Sequence, residues 1–209
     1  MRHLIAIVCF GGMLGLSGCK PTAMHNSAEF ATWLGNPQHG MIVNRSMNGI
    51  NMQAKFLPNS YLALVDCENG SSPTKHGFDS LLQAYAEGYT FLLTLGPEDL
   101  AAESFDAMYA GVDGVAAFKE RVQEMHFGMA QQFELRGDDG RHPPTIVNIE
   151  NDYGLANQRS LYVVFERTET LDKASQLTFT WKDHLFETGI NHFVFDQSNL
   201  NAIPAVSIN

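Results

Sequence analysis

The chain is short of cysteine, short of positive charge and without an apolar run long enough to cross a bilayer. Three cysteines occur in 209 residues. Cys9 and Cys19 fall in the first nineteen, so Cys67 alone remains beyond them and no intramolecular disulfide can close there. In "SYLALVDCEN" the acids Asp66 and Glu68 flank Cys67, whereas a reactive thiolate needs electropositive neighbours; a buried, inert thiol is expected. Also missing are a G-x-S-x-G elbow, a phosphate-cradling glycine loop and a dinucleotide fingerprint. These absences weigh against the common nucleophile and nucleotide chemistries.

Basic residues are few. Without Arg2 of the leader there are 12 Lys and Arg against 23 Asp and Glu, a net charge of −11 with His neutral. That field repels phosphate backbones and disfavours nucleic acid as a partner. The acids are scattered, with adjacent pairs only at Glu98-Asp99 and Asp138-Asp139, so solubility accounts for most of them. Charged residues make up only 17%, while hydrophobic residues reach 44% and include 14 Phe, enough for a sizeable core.

What is present begins at the N-terminus. Leu4 to Leu16 is apolar, follows Arg2 and His3, and ends at Ser17 and Gly18. A membrane span needs about 20 apolar residues, so a secretory signal over residues 1–18 is expected rather than a transmembrane helix. An ordinary signal, cut and lost, also needs small residues before the cut. Leu16-Ser17-Gly18-Cys19 goes further and resembles the lipobox of bacterial lipoproteins at all four positions. The resemblance implies diacylglyceryl transfer to the Cys19 thiol, removal of the preceding peptide and acylation of the new amino terminus. Two or more acyl chains hold a protein stably on a membrane without spanning it. Lys20 in place of Asp after the cysteine implies sorting to the outer membrane, facing the periplasm. Residues 19–25 then form a lipidated tether and 26–209 a single domain.

Along that domain, Asn26 followed by Glu29 predicts a helix cap, with Phe30, Trp33 and Leu34 on one face. "MIVNRSMNGINMQAKF" predicts a hairpin about Asn48-Gly49, with Ile50, Met52, Ala54 and Phe56 turned inward. Pro58 ends that strand, and Asn59 or Ser60 is expected to cap the next helix. Phe78, Leu81, Leu82 and Tyr85 share a helical face, with Gly88 placed as its stop. "YTFLLTL" predicts a strand buried on both faces, and Val115 through Phe118 and Val122 toward Met125 a further helix. Phe127, Met129, Phe133 and Leu135 share one parity and predict a strand. "GDDG" predicts a turn before "TIVNI", and "SLYVVFER", "QLTFTWKD" and "INHFVFDQ" predict three more strands. The expectation is an α+β fold, with a largely antiparallel sheet of roughly seven or eight strands and helices from the N-terminal half packed on one face.

"WLGNPQHGMI", "GINMQAKFLPNSYLAL", "YGLANQRSLYVVFER" and "LTFTWKDHLFETGINHFVFDQSNLNAIP", together with the lipobox, resemble a family of functionally uncharacterised lipoproteins of Bacteroidetes-type bacteria. The resemblance implies an envelope location and a single domain, and brings no catalytic residues with it.

Two polar clusters merit attention as sites. Asp183, His184, Glu187 and His192 have the side chains a metal site uses, but not the HExxH spacing, and with a turn at Glu187 to Ile190 His184 and His192 need not project to the same face. "IENDYG" offers Glu150 and Asp152 to calcium without the alternating acids of an EF-hand loop. No metal and no cofactor are expected. The function expected is non-catalytic: a lipid-anchored module that binds or scaffolds an envelope protein or glycan. The alternative is a hydrolase of envelope glycan or peptide, its carboxylates brought together by the fold.

Overall fold

Asn48 and Gly49 take φ angles of 53° and 75°, the left-handed pair that a two-residue hairpin turn requires. They join β1 (Ile42–Met47) to β2 (Ile50–Leu57), whose register pairs Met47 with Ile50 and Ile42 with Lys55. Ile50, Met52, Ala54 and Phe56 are all buried, as their alternation predicts. The computed structural model describes residues 23–70, 74–98, 108–109, 111–138, 140–150 and 158–208. The leader, Cys19 and the remainder of Leu16 to Thr22 lie outside them.

Before the hairpin comes α1 (Ser27–Gly35), capped by the Asn26 side chain, which accepts from the Glu29 N–H. Upstream of the cap, Met24 is buried and bridges to Val206 in parallel, so the fold grips the chain two residues before Asn26. After the hairpin, α2 (Asn59–Asn69) starts at Pro58 with no side-chain cap, in contrast to the expected cap at Asn59 or Ser60. Pro58 takes the cap position itself, and Asn59 and Ser60 are already helical. α3 (Lys75–Tyr85) is capped by Thr74. Gly88 opens the next strand, and the helix stops earlier, at Ala86.

Nine strands among the described residues form two antiparallel sheets, where the sequence pointed to one sheet of seven or eight. The first has the order β1-β2-β3-β7-β6, with β3 at Gly88–Pro97, β6 at Pro144–Ile149 and β7 at Arg159–Glu166. The second has the order β5-β4-β8-β9, with β4 at Phe133–Arg136, β5 at Arg141–His142, β8 at Gln176–Asp183 and β9 at Gly189–Asp196. Both sheets turn their phenylalanines toward each other. Phe91 of β3 stacks on Phe179 of β8 with centroids 4.9 Å apart and meets Phe195 of β9 at 5.2 Å, while Phe165 of β7 stands edge-on to Phe179 at 6.0 Å. Aromatic contacts of this kind add about 1 kcal/mol each beyond the area they bury. The core is therefore the seam between two sheets.

The N-terminal helices do not simply blanket one sheet face. α2 lies against α1 and α3, and touches the first sheet at β3. In β3, Tyr89, Phe91, Leu93 and Leu95 face the core while Leu92 and Thr94 are only half-buried, so the outer face is partly open rather than covered throughout.

α4 (Gly114–Gln123) continues through a π-turn at Glu124–Gly128 and a 3-10 turn at Met129–Gln132. Phe127 and Met129 thus belong to helical turns, and only Phe133 and Leu135 of the expected strand are extended. A shared parity over nine residues does not separate a strand from consecutive tight turns when the turn residues are themselves apolar. α5 (Glu169–Lys173) and α6 (Gln197–Leu200) are short links after β7 and β9.

Candidate binding cleft

The polar group at the β8–β9 loop holds the loop together. Asp183 is buried, and its carboxylate accepts from the backbone N–H of Leu185, Phe186 and Thr188 and from the Thr188 hydroxyl, at 2.7 to 3.2 Å. Every lone pair it offers is engaged inside the turn. Glu187 takes φ 57° and is exposed, its carbonyl accepting from the Asn48 side chain. His184 is exposed, and His192 lies on the outer face of β9 with Nδ1 3.0 Å from the Thr180 hydroxyl. Asp183, His184, Glu187 and His192 do not converge, and no three His, Cys, Asp or Glu gather as metal ligands among the described residues.

Arg121 completes that loop from outside. Its guanidinium donates to the Leu185 carbonyl at 2.8 Å and lies 4.7 Å above the Phe186 ring. Burial pulls its pKa down, partly offset by the charge of Asp183. One basic residue in an amphipathic helix gave no sign in the sequence of this role.

Of the other candidates, Glu150 follows the end of β6 and is exposed, and Asp152 lies outside the described residues. Cys67 is buried, its thiol 3.7 Å from the Thr74 carbonyl. Ser72 and Lys75 have the Ser-x-x-Lys spacing of a nucleophile and its base. Ser72 lies outside the described residues, and Lys75 is paired with Asp79 one turn along α3 at 3.0 Å.

A large concavity among the described residues opens on the outer face of the first sheet. α2 contributes Leu62, Val65 and Asp66; α3 contributes Ala84 and Tyr85; Glu87, Gly88 and Thr90 follow on the approach to β3 and within it. β6 supplies Thr145 and Ile146, and β7 supplies Tyr162, Val164 and Glu166. The volume is about 720 Å³, within the range of small-molecule sites. Period-two alternation explains the floor: Leu161, Val163 and Phe165 point into the core, so Tyr162, Val164 and Glu166 must point out. Val164 is half-buried and Ile146 is 56% exposed, leaving apolar surface facing the cleft.

Acidic side chains and phenols punctuate this surface. The Tyr85 hydroxyl donates to Asp66. That hydrogen bond, then burial and the negative charge of Asp66, pushes the Tyr85 phenol up to about 12. Burial, helped by Glu150 and the neighbouring Tyr61, raises Tyr162. Both phenols therefore stay protonated near neutral pH as donors and π faces. Arg167 follows Glu166 but points to the opposite face, where it binds Asp172 at 2.8 Å and lies 5.2 Å from the Tyr89 ring. Tyr89 also donates to Asp172, and a separate hollow of about 310 Å³ lies beside Tyr89, Arg167 and Gln197. Its charges are already satisfied by one another. Neither cavity was legible beforehand, since the larger draws on residues about a hundred positions apart in sequence.

No family model and no curated protein matches this chain. Among solved structures it is similar to a protein of unknown function from Burkholderia pseudomallei, at 13% identity and a TM-score of 0.38, over 86% of this chain and 94% of that one. A likeness at that level carries no conclusion about fold or function.

Proposed function

We propose that the protein is a lipid-anchored envelope protein whose α+β domain binds a small ligand in the cleft between α2, α3 and the outer face of the first sheet, without transforming it. The observation that carries the binding reading is the cleft itself: about 720 Å³ lined chiefly by Leu62, Val65, Ala84, Ile146, Tyr162 and Val164. Apolar walls with a few polar groups at set positions are what ligand sites need. The anchoring reading rests on Leu16-Ser17-Gly18-Cys19. Its geometry is tight, since Met24 is already held by Val206. Five residues of extended chain from Cys19 span at most about 18 Å, so a lipid there keeps the domain close to the bilayer.

Two experiments test the two halves. Wild-type protein partitions into the detergent phase and Cys19→Ser into the aqueous phase; wild type in the aqueous phase overturns the anchor. In a fragment screen read by amide chemical shifts, apolar fragments perturb Leu62, Val65, Ala84 and Val164 together. Shifts elsewhere, or none, overturn the cleft.

A second reading has one observation in its favour. Asp66, Glu87 and Glu166 place three carboxyl groups on the same cleft, which a glycan hydrolase could use as acid and base. Turnover of envelope glycan, lost in Glu166→Gln, selects that reading.

A further inference from the structure

We infer that the ligand of this cleft is an organic cation: an apolar body carrying one ammonium group, with the body on the α2–β7 surface and the charge at the acidic rim. The inference rests on the cleft being the binding site and adds the chemistry of its occupant.

Among the described residues, three acids, Asp66, Glu87 and Glu166, line the cleft and no Lys, Arg or His does. Glu87 and Glu166 are exposed side chains. None of the three forms an ion pair among the described residues, and the partner of Asp66 is the uncharged Tyr85 hydroxyl. The nearest cation in sequence, Arg167, is committed to Asp172 and Tyr89 on the other side of the strand. The pocket is thus apolar within and negative at its edge, with no internal countercharge.

Burying an ammonium ion without a partner is costly, and a carboxylate rim supplies the partner. Tyr85 and Tyr162 add aromatic faces, which attract cations by their ring quadrupoles. An anionic ligand meets like charge, and a neutral one leaves the rim unused. The net charge of −10 on the whole chain reinforces the preference at long range. A basic peptide is a less good fit, because a cleft of about 720 Å³ holds one drug-sized body rather than a strand of residues.

The test is isothermal titration of the purified protein with three probes of equal chain length: octyltrimethylammonium, octanol and octanoate. The cation should bind about tenfold more tightly than either of the others, with the preference shrinking as salt is raised. Glu87→Gln with Glu166→Gln should bring the cation down to the affinity of octanol while leaving octanol unchanged. Because both positions are exposed, the melting temperature should stay as in wild type. Equal affinity for all three probes overturns the cation and leaves the binding cleft standing. Binding of none of them overturns both. A short lysine peptide that binds more tightly than octyltrimethylammonium, or dimerisation in sedimentation that blocks the probes, also overturns this occupant.

Discussion

The hydroxyl of Tyr85, at the end of α3, donates to the carboxylate of Asp66 on α2. This contact ties the two helices together at the mouth of the cleft. A hydrogen bond to a charged acceptor at a partly exposed site contributes about 1 kcal/mol, so Tyr85→Phe should lower stability by roughly that much in urea denaturation at pH 7. The sign of its pH dependence follows from the raised phenol. Its folded pKa, about 12, lies above the ordinary value of 10.0, so its contribution is complete below about pH 10 and is lost as pH rises toward 12. The gap between wild type and Tyr85→Phe should therefore be constant from pH 6 to about 9 and narrow above about 10. A gap that widens with rising pH contradicts the hydrogen bond.

The hairpin register makes a sharper demand on stability. Phe56 is buried against Phe91, with ring centroids 5.5 Å apart, and its neighbour Lys55 points outward. Phe56→Ala should cost about 3 to 5 kcal/mol and Lys55→Ala less than about 0.5. Similar losses from the two substitutions would mean that the register is shifted by one residue.

Asp183 is predicted to be structural. With four donors closing the β8–β9 turn around a buried carboxylate, Asp183→Ala should destabilise by about 3 kcal/mol or more. His184→Ala should be near neutral, because that side chain is exposed. Thermal melts of the two variants check the difference. Asp183→Ala that melts like wild type would return the residue to the list of functional candidates.

Glu134 gives an acid-side counterpart. Burial alone would raise its carboxyl, but the hydrogen bond and charge of Lys182 at 2.6 Å, with Arg141 at 3.7 Å, win and hold it below the ordinary value of 4.5. A depressed pKa contributes stability above the unfolded value and loses it as pH falls through the folded one. Glu134→Gln should therefore be less stable than wild type at pH 7, and the difference should close as pH falls below 4.5 and through the lowered folded value. A difference that persists unchanged to pH 2 contradicts the ion pair.

How much of this was visible in the residues depends on distance along the chain. The Asn48-Gly49 turn and the Asn26 cap are local, each decided by a few dihedrals and one side-chain acceptor, and the sequence showed both. The division into two sheets is not local. β3 chooses β7 and β4 chooses β8 across dozens of residues, and the alternating pattern within each strand is the same whichever partner it takes. The cleft was hidden for the same reason. Val65, Ala84, Ile146 and Val164 each read as ordinary core or surface positions until strand pairing and helix packing bring them around one space. The sequence drew attention instead to Asp183, His184, Glu187 and His192, because contiguous polar residues are conspicuous and a cavity is not.

A bound ligand can be sought directly. Wild-type protein, purified gently from its native source and examined by native mass spectrometry, should carry an added small-molecule mass. Ala84 is exposed on the cleft wall, so Ala84→Trp should fill the space without unfolding α3 and should remove that mass while the melting temperature holds. Wild-type protein with no added mass, or the same mass retained on Ala84→Trp, would contradict the assignment of this cleft as the binding site.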